Sequence, residues 1–176
     1  MREHSHFRWS VALTLAAFVL GAIVLSPGLA VAQGSNTGAS GLPLPRFVTL
    51  AVTKANMRVG PKRTHPIIWE YQKKGMPLEV IQEHESWRRV RDIDGEVGWM
   101  HKQLLTGKRS AIINVDWASL RDRPDIAAIM LVRAQRGVLA SVEECLPDWC
   151  LVTIEGQEGW VEKASIWGVY DGEVFD

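Results

Sequence analysis

Cys145 and Cys150 are the only cysteines in the chain, and they bracket Leu146-Pro147-Asp148-Trp149. In an oxidising compartment such a pair reads as a disulfide closing a short loop. A redox or metal role is the alternative, but the spacing is not C-x-x-C and no histidine adjoins the pair. His65, His84 and His101 are scattered, without the H-E-x-x-H or i, i+4 spacing that sets ligands on one helix face. No metal site and no cofactor are expected. There is also no G-x-S-x-G turn, no glycine-rich phosphate loop and no cysteine nucleophile with a partner base. Carboxylates are plentiful, yet very small folded units offer little of the roughly 300–1,000 Å³ in which a pocket holds an acid and base pair. These residues point to binding and not to an enzyme.

The first 32 residues are set aside as a signal peptide. Arg2 and Arg8 precede an uncharged apolar run from Val11 to Leu25, and Ala30-Val31-Ala32 supplies an A-x-A cut between Ala32 and Gln33. A helix needs roughly 20 apolar residues to cross a bilayer core, so this run is too short to span. An uncleaved N-terminal anchor is the alternative. After cleavage no stable membrane span is expected, and the protein is read as periplasmic or secreted. Residues 33–45 are mostly Gly, Ser, Asn, Ala and Pro, which predicts a flexible tether.

Charge divides what remains. Residues 46–109 hold 13 Lys plus Arg against 7 Asp plus Glu, whereas residues 110–176 hold 5 against 12. Such a split marks either a charged partner, namely an anionic envelope polymer or lipid surface, or two halves that attract each other. It also allows self-association. Nucleic acid is not expected as a partner of an exported chain.

Sliding the sequence on itself by about 62 positions reveals a repeat. Ala55-Asn56-Met57-Arg58-Val59-Gly60-Pro61 aligns with Ala118-Ser119-Leu120-Arg121-Asp122-Arg123-Pro124. Gly75, Val80, Trp87, Val90 and Gly98-Trp99 then align in order with Gly137, Val142, Trp149, Val152 and Gly159-Trp160. Within each copy short β-branched and aromatic runs alternate with turn formers, Asp94-Gly95 among them, which predicts strands joined by tight hairpins. A helix is plausible only over Ile126 to Gln135, where Ala and Leu are dense. The copy without cysteines is expected to hold its second hairpin by packing alone.

The ordered set N/S-M/L-R-x-x-P, an apolar strand, W-x-x-V and G-x-x-G-W resembles the bacterial SH3 domain, here as a tandem pair of the exported proteobacterial type. The resemblance implies an all-β fold of two small SH3-like barrels, over residues 46–108 and 109–171. It further implies a shallow groove to which Trp87 and Trp99 contribute in the first copy, and Trp149 and Trp160 in the second. Each of these also has a core-packing reading. Arg58, Lys62 and Arg63 lie in the first loop near that groove, and strand alternation sends Arg89 and Arg91 to one face and Arg88 to the other. With Trp beside them, Arg58, Arg89 and Arg91 suit a peptide carboxylate or a sugar ring. The expected partner is peptidoglycan or an envelope protein or peptide. The alternative is a structural protein that assembles through its oppositely charged halves.

Overall fold

The computed structural model describes residues 36–176, so the expected signal peptide, its cleavage point and the start of the tether lie outside the described residues. The rest of the expected tether is a hairpin, β1 (Asn36–Thr37) paired with β2 (Pro43–Leu44). Its composition buries little apolar surface, but polar anchors hold it down. The Ser40 backbone N–H and hydroxyl both donate to the Glu83 carboxylate, at 2.6 and 2.8 Å.

The first barrel follows as β3 (Arg46–Leu50), β4 (Ala55–Arg58), β5 (Ile67–Tyr71), β6 (Pro77–His84), β7 (Trp87–Arg91), β8 (Val97–His101) and β9 (Leu105–Thr106). The strands form one antiparallel sheet in the order β5-β4-β8-β7-β6-β3-β9. Alternation places Leu50, Met57, Leu78, Val80, Val90 and Met100 at its fully buried centre. The β7–β8 turn takes a positive φ at Gly95, and Asp92 clamps it by accepting from the N–H groups of Asp94 and Glu96. Packing is not all that holds the β6–β7 hairpin. Glu83, almost wholly enclosed, accepts from Arg46 at 2.6 Å and lies 3.0 Å from Arg88 Nε, so an ion-pair cluster ties the two strands.

The second barrel repeats this plan strand for strand: β10 (Ser110–Ile113), β11 (Trp117–Arg121), β12 (Met130–Gln135), β13 (Leu139–Cys145), β14 (Trp149–Ile154), β15 (Gln157–Glu162) and β16 (Ile166–Trp167), in the order β12-β11-β15-β14-β13-β10-β16. Even the irregularities recur. Register shifts fall at Met57/Arg58 and Leu120/Arg121, and again at Val80/Gln82 and Val142/Glu144. The stretch open to a helical reading is a turn followed by β12. Pairing with β11 and burial of Ala134 outweigh a helix propensity worth only tenths of a kcal/mol per residue. Cys145 and Cys150 pair in register and form the disulfide.

The repeated G-W step has a steric cause. A Cβ built on Gly98 would lie 2.5 Å from Met57 Cγ and 2.9 Å from the Arg58 carbonyl, and one on Gly159 would lie 3.0 Å from Leu120 Cβ. In the first barrel β8 crosses β4 too closely for a side chain, and in the second β15 crosses β11 almost as closely.

Between the barrels the contact is aromatic and polar. The Phe47 ring meets Trp167 edge-on at 5.0 Å and Tyr170 at 4.7 Å, and the Tyr170 hydroxyl donates to Glu79 at 2.9 Å. Burial and that bond to Glu79 push the hydroxyl far above its ordinary pKa, so it remains a donor at any physiological pH. Thr49 and Ser110 hydroxyls meet at 2.7 Å. The C-terminal tail, which the repeat does not cover, is fixed by a two-pronged Arg109–Glu173 pair at 2.7 and 2.9 Å, by the buried Lys163 donating to the Glu173 carbonyl, and by a bridge from Phe175 to Cys145. Among the described residues the opposed charges of the two halves meet here in one bidentate pair, beside the ring contacts of Phe47.

Candidate binding surface

The outward face of β4, β8 and β7 carries two rows of side chains set by register. Trp87 stands opposite His101 and Arg89 opposite Trp99, with Arg58 on the other flank of Trp99. Alternation turns the intervening Arg88 and Val90 inward, as expected from sequence. A groove of about 450 Å³ opens at the Trp87 end, lined by Lys54, Asn56, Arg58, Arg63, Trp87 and His101, with no acidic side chain among the described residues of its wall. Its floor is rigid. Trp87 is only 9% exposed and meets the His101 ring edge-on at 5.4 Å, so it presents one edge and not a free face. Asn56 Oδ1 is buried and has no donor among the described residues.

The structure brings Arg58 and Trp87 into the groove and sets Trp99 and Arg89 in the adjoining row, while Arg91 turns away. Its Nε donates to the buried Glu79 at 2.9 Å, next to the barrel junction. Arg58 is partly committed as well. It donates to the His65 carbonyl at 2.7 Å and so closes the first loop, as Arg121 does with Ala128 at 2.8 Å. Lys54 leans on Glu70 at 3.1 Å, whereas Arg63 has no carboxylate partner among the described residues. Lys54, Asn56 and His101 were not among the groove residues expected from sequence. Counting two residues on from Trp99 along β8 would have found His101.

In the second barrel the same register gives a different surface. Trp160 stands opposite Arg121 and Leu151, and Trp149 opposite Glu162. Leu151 thus occupies the place of Arg89, Glu162 that of His101, Trp117 that of Lys54 and Ile126 that of Arg63. The scaffold and its loop-closing arginine are kept, while the cations at the places of Lys54, Arg63 and Arg89 are gone.

A family model for the bacterial SH3 domain matches residues 51–107 and again 114–168. The chain belongs to the bacterial SH3 domain family. Each barrel is therefore one SH3 domain, and the family is one of binding domains. No curated protein matches the sequence. Among solved structures it is similar to NlpC2 and NlpC1 of Trichomonas vaginalis, at 12% and 11% identity with TM-scores of 0.33 and 0.34, over 70% and 74% of this chain and 48% of each of those. An NlpC/P60 family protein of Bacillus cereus matches at 12% identity and a TM-score of 0.32, over 69% of this chain and 55% of that one. The chain thus spans about half the length of the solved proteins it matches.

Proposed function

We propose that this protein is an exported, non-catalytic binding module of the cell envelope whose first SH3 domain holds peptide carboxylates of peptidoglycan. The groove of that domain carries the reading. Its cations, Lys54, Arg58 and Arg63, lie beside an aromatic floor; Glu70 pairs with Lys54 from outside the wall, and none of the described lining residues is acidic. Arg63 is free to take a carboxylate bidentately, and Arg58 reaches the same space from the end of β4, where its hydrogen bond to the His65 carbonyl closes the loop that carries Arg63. The second domain keeps the fold and the loop-closing arginine but lacks the cations at the places of Lys54 and Arg63, and serves to brace the first.

Sedimentation with purified sacculi tests this. Arg63→Glu leaves an exposed loop folded and is expected to weaken retention about tenfold or more, with the remaining binding falling as salt rises. Equal retention of Arg63→Glu and the unaltered protein would overturn the assignment. Salt-sensitive self-association without retention would favour assembly through the oppositely charged domains.

A further inference from the structure

The tip of one hairpin in the second SH3 domain carries two exposed isoleucines that the fold does not require, beside two exposed apolar residues, Met130 and Leu131, whose places Ile67 and Ile68 take in the first domain. Ile126, Ile129, Met130 and Leu131 are 61, 67, 48 and 51% exposed. At the first two of these places the first domain carries Arg63 and Pro66 on a loop of the same length. The loop is shaped in both domains by an arginine holding a carbonyl, Arg121 on Ala128 and Arg58 on His65, so the exposed isoleucines support no packing. Monomeric proteins rarely keep such a patch without a partner.

Charge is segregated with it. All four arginines of the second domain, Arg121, Arg123, Arg133 and Arg136, lie in the 117–136 hairpin with two aspartates, whereas the rest of residues 110–176 carries Lys163 against ten acids. Arg121 is used by the loop, Arg136 pairs with Asp116, and Arg123 lies 3.8 Å from Asp122. Arg133 instead sits over the Trp117 ring at 4.8 Å, without a carboxylate partner among the described residues. Trp117 is itself half exposed.

A convex apolar tip fits a partner that yields around it, and the flanking Arg and Trp suit a surface of negative charge. The groove of a second copy is the concave alternative on this molecule, but Lys54, Arg58 and Arg63 in its wall repel the arginines that would accompany the tip. We propose that the β11–β12 hairpin inserts into an anionic lipid surface. The isoleucines, Met130 and Leu131 enter the acyl boundary, Arg133 and Trp117 lie at the headgroups, and the acidic remainder of the domain is held away from the lipid. The residues are separate from the groove of the first domain, so either reading stands or falls without the other.

An environment-sensitive fluorophore on Ala127→Cys in the full chain tests this, with Glu158→Cys on β15 as the control position; the native cysteines are held as a disulfide. Vesicles containing phosphatidylglycerol are expected to shift the tip label to the blue and leave the control label unchanged, with a weaker response to phosphatidylcholine alone. Adding Ile126→Asp and Ile129→Asp is expected to weaken the response about tenfold or more, since each buried isoleucine contributes more than one decade of partitioning. No shift at the tip, or an equal shift at both positions, would overturn the proposal. So would a shift that grows with protein concentration in the absence of lipid, which would identify a second copy as the occupant.

Discussion

Glu83 and Arg88 face each other across the β6–β7 hairpin at the register positions that Cys145 and Cys150 hold on β13–β14. One SH3 domain closes this hairpin with an ion pair and the other with a covalent bond. The two solutions are not equivalent, because Glu83 also accepts from Ser40 and Arg46 and so fastens the N-terminal hairpin, which a disulfide has no acceptor to do. The shared geometry is testable. Glu83→Cys with Arg88→Cys is expected to form a second disulfide on air oxidation, read as the absence of reactive thiols under denaturing conditions. Reducing the native Cys145–Cys150 bond is expected to cost about 2 kcal/mol, as the closed loop is short. Thiols that stay free in the double variant would show that the register match does not extend to the side chains.

Acid is expected to weaken the first domain through the same carboxylate. Burial works to raise the Glu83 pKa, but hydrogen bonds from Arg46 and Ser40 and the charge of Arg88 prevail and lower it to about 2. A folded pKa below the unfolded value, near 4.5, means that the group stabilises the fold fully above pH 4.5 and loses that contribution as pH falls toward 2. Glu173, lowered by Arg109 against its own burial, adds a loss of the same sign at the tail. Glu83→Gln is therefore expected to flatten part of the pH dependence of urea midpoints below pH 4.5, and to cost about 3 kcal/mol at neutral pH by leaving Arg46 and Arg88 unpaired. An unchanged acid slope in Glu83→Gln would contradict the assignment.

The G-W step predicts an asymmetry between the domains. Gly98→Ala must push aside Met57 and the Arg58 carbonyl, the latter being backbone that cannot retreat without opening the β4–β8 contact. A cost of about 2–3 kcal/mol is expected. Gly159→Ala meets its nearest atoms at 3.0 and 3.2 Å, where a shift of a few tenths of an ångström suffices, so its cost is expected to be smaller, about 1 kcal/mol. Equal losses in chemical denaturation would remove the steric account of the repeated glycine.

The collinear Trp, Gly and Val matches were enough to read two copies of one β-plan, because each falls at a point of steric constraint: Gly98 and Gly159 at a strand crossing, Trp99 and Trp160 opposite the loop-closing arginines. What escaped depends on contacts distant in sequence. The Ser40–Glu83 and Arg46–Glu83 bonds span about 40 residues and turn an apparently unstructured polar stretch into a docked hairpin. Arg91 has the exposure pattern of a ligand-binding residue until Glu79, twelve residues away on the neighbouring strand, claims it. Tail residues such as Tyr170 lie beyond the repeat, so self-comparison gave them no role.

The junction built by that tail should decide whether the two domains unfold as one. Phe47 belongs to the first domain, yet its ring packs against Trp167 and Tyr170 and lies 5.9 Å beneath the Arg109 guanidinium. Phe47→Ala removes the apolar centre of the contact while leaving the core of the first barrel, Leu50, Met57 and Val80, in place. Urea unfolding followed by tryptophan fluorescence is expected to separate into two transitions, and trypsin is expected to cut faster after the exposed Lys108. Tyr170→Phe is the milder test. It removes the hydroxyl bond to Glu79, which still keeps Arg91, and should cost about 1 kcal/mol without separating the transitions. A single sharp transition in Phe47→Ala would mean that the short linker and the Thr49–Ser110 contact suffice to couple the domains, and that the tail does not.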